Sequence, residues 1–144
     1  MNILNLDNIA GLLLEMRDTR VILDSDVASL YNVETKRVNE AVKNNPEKFP
    51  DGYVFELNER ELKCLRSKIS SAKLSKTRAM PKAFTEKGLY MLATIIKSAT
   101  AALTTISIIE TFARLRELQR SIKEISETKN EQEKEKIIRN SGGL

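Results

Sequence analysis

The sequence predicts a small α+β domain with a helix-turn-helix, a short antiparallel β element and a long C-terminal helix. Three observations carry that expectation. Two short apolar helical patterns, one with Val27, Ala28, Leu30 and Tyr31 and one with Val38, Ala41 and Val42, flank the step Asn32-Val33-Glu34. The stretches "LLLEMRDTRVIL" and "FPDGYVFEL" place apolar runs beside polar turns, as strands require. Further on, Ile106, Ile109, Phe112 and Leu115 recur at helical spacing.

Taken in order, "LLLEMRDTRVIL" reads as a β-hairpin turning at Arg17, Asp18 and Thr19, with a helix through Ile9 to Met16 as the competing reading. Asp24 or Ser25 can cap the helix that follows. Asn32 tolerates the left-handed backbone that ends a helix, and Thr35 can cap the next. That second helix places Val38, Ala41 and Val42 on one face and Lys36, Asn39, Glu40 and Lys43 on the other, with Arg37 on the flank. Asn44, Asn45 and Pro46 break it.

Pro50-Asp51-Gly52 is a turn into a strand from Tyr53 to Leu57, with Tyr53, Phe55 and Leu57 on one side. Asn58 followed by Glu61 has the spacing of a capping box and starts a helix through about Ser67 to Ser70. Cys64 shares that helix with Leu62, Leu65 and Ile69 and is expected to be a reduced, buried or half-buried thiol. "SSAKLSKTR" has no period and reads as a mobile loop. "AMPKAF" reads as a second strand, and Pro81 assigns it to an edge or a bulge. Thr85 with Gly88 gives a weaker cap for a helix through Leu89, Leu92, Ala93 and Ile96.

A long helix runs from about Ala101 to beyond Leu118 and is expected to scaffold the domain. Leu115, Leu118, Ile122 and Ile125 step by three, four and three residues, as a short coiled-coil seam does, so a homodimer through these four is one expectation. The other is a helix packed on its own domain. The division is a domain over 1–120 and a charged C-terminal helix or disordered tail over 121–144.

The 144 residues, 41% of them hydrophobic, suffice for one ordinary core. The formal net charge is only +4, but its distribution is uneven. Leu62 to Thr85 holds Lys63, Arg66, Lys68, Lys73, Lys76, Arg78 and Lys82 and no acid, which leaves the rest of the chain net acidic. A focused basic region suggests an anionic partner, nucleic acid first and an anionic membrane second, with a solvated face and a lysine-rich loop as the plain alternative.

With one cysteine and no histidine, an internal disulfide is excluded and the usual zinc sets and the commonest general base are missing. Only carboxylate chemistry is left. Asp24 and Asp26 serve a helix start. Pro50, Asp51 and Glu56 partly resemble the Pro-Asp, Glu-x-Lys nucleases, yet Asn58 stands where that motif wants lysine. With 5 glycines there is no glycine-rich phosphate loop. The expectation is a protein without catalysis, metal or cofactor. No stretch approaches the roughly 20 apolar residues of a membrane helix, and no basic region precedes "IAGLLLEM", so a soluble cytoplasmic protein is expected.

The helix pair has a specific physical reading. In a helix-turn-helix the second helix enters the DNA major groove, so it must bury its back and expose hydrogen-bonding side chains near its N-terminus. Thr35, Lys36, Arg37, Asn39, Glu40 and Lys43 meet that demand: Arg and Lys suit guanine, Asn suits adenine, and Glu accepts from cytosine. Lys73, Lys76 and Arg78 are expected on phosphates, which give affinity without sequence information. The alternative is a protein-interaction module that binds a repressor or self-associates through the C-terminal helix.

Four blocks occur in order: "RVILDSDVASLYNVETKRVNEAVKNNPEKFP", "YVFELNERELKCLRSKI", "PKAFTEKGLYML" and "FARLREL". Together they resemble the ORF-six-N domain, a phage and bacterial relative of the KilA-N and Bro-N domains, over about Met16 to Leu118. The matching residues are Asp24, Ala28, Leu30, Tyr31, Val33, Glu34, Thr35, Asn39, Val42, Phe49, Pro50, Phe84, Thr85, Gly88 and Met91. The resemblance implies a small α+β DNA-binding domain found in phage antirepressors and regulators, often joined to a variable C-terminal part. Two departures stand out. Asn32 replaces the usual turn glycine, and "SSAKLSKTR" stands where the family often has "SSWGGRR", losing a tryptophan and two glycines while Lys73, Lys76 and Arg78 keep the charge.

Overall fold

The computed structural model describes residues 6–68 and 80–142. It is an α+β domain. Helix α1 (Leu6–Leu12) leads into strands β1 (Leu14–Met16) and β2 (Thr19–Leu23). Helices α2 (Asp24–Tyr31) and α3 (Thr35–Asn44) follow, then a 3-10 turn at Pro46–Lys48, β3 (Val54–Glu56) and α4 (Glu59–Lys68). Strand β4 (Lys82–Thr85), α5 (Glu86–Ala93) and α6 (Ala101–Gly142) complete the described chain. The hairpin reading of the first stretch holds; the competing helix through Ile9 to Met16 does not, because the helix ends at Leu12 and Leu14–Met16 is a strand.

The strands form one antiparallel sheet in the order β1-β2-β4-β3. The β1–β2 hairpin turns on two residues, Arg17 and Asp18, both left-handed at φ 52° and 59°, with Met16 opposite Thr19. That backbone matches strand twist, but for arginine it costs about 1–2 kcal/mol. Tertiary contacts offset the cost. The Arg17 guanidinium donates to Glu61 Oε1 at 2.9 Å and Oε2 at 3.1 Å and lies 3.9 Å over the Phe55 ring, fastening the hairpin to β3 and α4. Arg17 first, and then the Asn58 backbone N–H, hold the Glu61 carboxyl below the ordinary carboxylate range. Glu61 also completes the expected capping box, accepting from Asn58 N at 3.0 Å while Asn58 Oδ1 accepts from Glu61 N at 2.8 Å.

Both sheet faces are covered. Ile22 and Phe84 point into the main core with Val27, Tyr31, Val38, Leu89, Leu92 and Ile108. Val21, Leu23 and Ala83 point the other way, onto Leu57 and Leu65 of the β3–α4 side. Burial on two faces explains the unbroken run Val21-Ile22-Leu23, which carries no polar alternation.

Three expectations need correction. Strand β4 is interior, between β2 and β3, and not an edge. Pro81 is tolerated because it lies one residue before the strand, where only its carbonyl is used, accepting from Leu57 N at 2.9 Å. Cys64 is exposed, because α4 turns Leu65 inward and leaves Cys64 on the outside. Third, the predicted caps lie one residue too late: Leu23 and Glu34 hold the N-cap positions of α2 and α3, without side-chain cap bonds, and Asp24 and Thr35 are the first helical residues.

Helix α6 forms as expected, but only half of the apolar recurrence that predicts it packs: Phe112 is buried and Leu115 half-buried. Ile106 and Ile109 are 54% and 42% exposed, whereas Thr104, Ser107, Ile108, Thr111 and Phe112 are buried. The threonines can be buried because their hydroxyls find carbonyls: Thr111 Oγ1 donates to Ser107 O at 2.7 Å and Thr104 Oγ1 to Leu30 O at 3.0 Å. Phe112 meets Tyr90 of α5 edge to face at 6.3 Å.

Candidate nucleic-acid interface

Helices α2 and α3 are joined through Asn32, which is left-handed at φ 56°. The Val33 N–H donates to Ala28 O at 3.0 Å and the Asn32 N–H to Ser29 O at 3.2 Å, the paired bonds of a Schellman ending. Asparagine fills the position at low cost because it tolerates positive φ. Ala28, 2% exposed, allows the close helix approach, and Val33 packs half-buried against the core at the corner.

The pair is held from behind. Thr104 of α6 donates to the Leu30 carbonyl, one of those the end of α2 leaves without an intrahelical partner. The Tyr31 hydroxyl is 2.9 Å from Thr105 Oγ1. Burial pushes the Tyr31 hydroxyl pKa up, so it stays protonated and able to donate. Thr104 and Thr105 carry no sequence signal for this role, since they lie more than seventy residues away in an unremarkable helical stretch.

Helix α3 buries Val38 and Ala41 and half-buries Val42. Lys36, Arg37, Glu40 and Lys43 are exposed, and Lys36, Glu40 and Lys43 follow one another on a single face at i, i+4 and i+7. Lys36 Nζ lies 4.0 Å from Glu40 Oε1, a loose surface pair with side chains 82% and 48% exposed; such a pair contributes about 0–1 kcal/mol. The outward face therefore stays net positive. Thr35 is half-buried at the start of the helix.

Asn39 is placed differently from the other predicted residues. Its Nδ2 donates to Asp24 Oδ2 at 3.2 Å, and its Oδ1 is buried with no partner among the described residues. Lys73, Lys76 and Arg78 lie outside the described residues.

Away from α3, an open groove of about 680 Å³ runs between the β1–β2 hairpin and helices α5 and α6. Two of its charges neutralise each other: Arg116 donates to Glu86 Oε2 at 2.6 Å, and Tyr90 donates to the same oxygen at 2.9 Å. Among the described residues, no group of three or more Cys, Asp or Glu side chains is arranged to hold a metal ion. No helix among them is long and apolar enough to cross a membrane.

A family model for the ORF6N domain matches residues 12–95, which span the hairpin, the helix pair, the rest of the sheet and α5, and end before α6. No curated protein and no solved structure matches the chain.

Proposed function

The chain belongs to the ORF6N domain family, and from that premise we propose that it is a double-stranded DNA-binding protein of phage or prophage type. It acts as an antirepressor or transcription regulator, without catalysis, in the cytoplasm. The observation that carries the reading is the division of α3. Val38 and Ala41 anchor one side in the core, while Lys36, Arg37, Glu40 and Lys43 are exposed on the other behind an αL turn. That is the arrangement a recognition helix needs to lie in a major groove, about 12 Å wide. In this reading Lys36, Arg37 and Glu40 face base edges, Thr35 and Lys43 position on the backbone, and Lys73, Lys76 and Arg78 meet phosphates.

Fluorescence anisotropy on random-sequence duplex across a salt series, with sequencing of the bound pool, tests the proposal. Binding with a log–log salt slope of about −0.9 per neutralised phosphate and an enriched motif is the expected result. Absence of binding at low salt would refute it.

A second reading rests on α6. Leu118, Ile122 and Ile125 are 57%, 58% and 69% exposed and continue the step of half-buried Leu115. We propose that this seam pairs two copies, or takes a repressor in an antirepressor role. Light scattering is expected to give a dimer for the full chain and a monomer for a chain ending at Glu117. Equal masses per particle would remove the seam as an oligomer interface.

A further inference from the structure

Asp24 is a carboxylate at the first position of α2 and only 3% exposed. A buried carboxylate is tolerated only when its oxygens receive donors. Oδ1 accepts from Ser25 N at 2.8 Å, within its own helix, and Oδ2 accepts from Asn39 Nδ2 at 3.2 Å, across the turn. The second bond is charge-assisted and joins α2 to the second turn of α3.

Its direction matters for the outward face. Apolar contacts through Val38 and Ala41 hold α3 down but resist roll about its axis weakly, because dispersion is non-directional. A hydrogen bond from the adjacent residue does resist roll. Asn39 sits about 100° around the helix from Val38, at the border between the buried side and the side bearing Lys36, Glu40 and Lys43. A recognition group must be held within about 10–20° of its productive orientation. Reading adenine, by contrast, takes both Nδ2 and Oδ1 of an asparagine. Here one is committed to Asp24 and the other is buried.

We propose that Asn39 is a positioning residue: with Asp24 it fixes the roll of α3 and so the aim of the exposed side chains, and it does not itself read a base. This rests on the DNA-binding reading and refines it.

The test uses the full chain on two probes, a duplex enriched by the wild type and a random-sequence duplex. Asn39→Ala and Asp24→Ala are each expected to lose roughly tenfold or more on the enriched duplex. Affinity for the random duplex and its salt slope stay as in the wild type, which a mere loss of folded protein would not leave unchanged. The double variant is expected to be no worse than the poorer single.

The exchanged pair Asp24→Asn/Asn39→Asp restores a donor facing a carboxylate and is expected to recover the wild-type motif. It also keeps the idea falsifiable if an alanine variant fails to fold. A switched preference at one base pair in Asn39→Ala but not in Asp24→Ala, or losses that multiply in the double variant, would overturn the proposal. An unchanged motif and affinity in Asn39→Ala overturns this inference alone. Failure of the wild type to bind any duplex overturns the DNA reading, and the positioning role with it.

Discussion

Gly88→Ala is expected to unfold the domain, or to remove at least about 4 kcal/mol from it, a loss in the range reserved for severe backbone or core defects. A Cβ at residue 88 would stand 1.9 Å from the Tyr53 carbonyl oxygen and 2.8 Å from its carbon. Those are backbone atoms, so no rotamer change relieves the contact. The carbonyl cannot withdraw freely either. It accepts from Thr85 N at 3.1 Å, and the Thr85 hydroxyl lies 3.0 Å from it and 2.7 Å from Gly52 O. The same hydroxyl accepts from Gly88 N at 3.3 Å, capping α5. One threonine and one glycine therefore weld the end of β4 to the turn before β3. Urea unfolding followed by circular dichroism measures the loss. Gly11→Ala is the internal control, since nothing lies within 4 Å of the added carbon and a helical glycine gains up to about 1 kcal/mol on becoming alanine. Equal midpoints for the wild type and Gly88→Ala would mean that the Tyr53 carbonyl and α5 do not approach this closely.

Whatever was legible in the sequence was local. The capping box of Asn58 and Glu61, the cap of Thr85 on Gly88 and the left-handed Asn32 are decided within four residues, and each forms as its residue types require. The helix pair was visible because its apolar spacing and its turn chemistry agree. Elements whose environment is set from far away carry little of that environment in their own residues. Pro81 argues for an edge in isolation, yet a proline just ahead of a strand costs the ladder nothing, and only the tertiary pairing of β2 reveals that β4 is interior.

Helix α6 illustrates the same limit in its side chains. Isoleucines are the obvious packing residues, but Ile106 and Ile109 face out while Thr104 and Thr111 face in. A threonine hydroxyl bonded to a carbonyl behaves as a compact, half-apolar core group, and no periodicity scan distinguishes it from a surface residue. Asn39 was legible as polar and on α3. Its partner, Asp24, fifteen residues earlier, was not. Arg17 likewise reads only as a turn residue, since Glu61 lies forty-four positions away. What the apolar spacing of α3 predicts is that Lys36, Arg37, Glu40 and Lys43 are exposed, and they are.

Replacing Lys36 and Arg37 together by alanine is expected to weaken duplex binding roughly 100-fold at matched salt, on the basis of about 1–3 kcal/mol for each base contact. Both side chains are exposed and neither contributes to the core that Val38 and Ala41 build, so the fold is retained. Alanine is also the best helix former. The unfolding midpoint should stay close to that of the wild type, separating lost recognition from lost structure. Removing Lys36 has a second effect: Glu40, 4.0 Å away and its side chain 48% exposed, loses its counter-charge and would enter the negative potential of the groove as an unneutralised anion. The way affinity is lost identifies the contacts. If the two cations sit on phosphates, the salt slope falls by about 0.9 for each and all sequences weaken alike. If they read guanine, the slope changes little and the motif selected from a random pool loses its preference at the positions they face. Unchanged affinity at matched salt would show that α3 is not the surface that meets DNA, and would move the search for a partner to the exposed residues of α6.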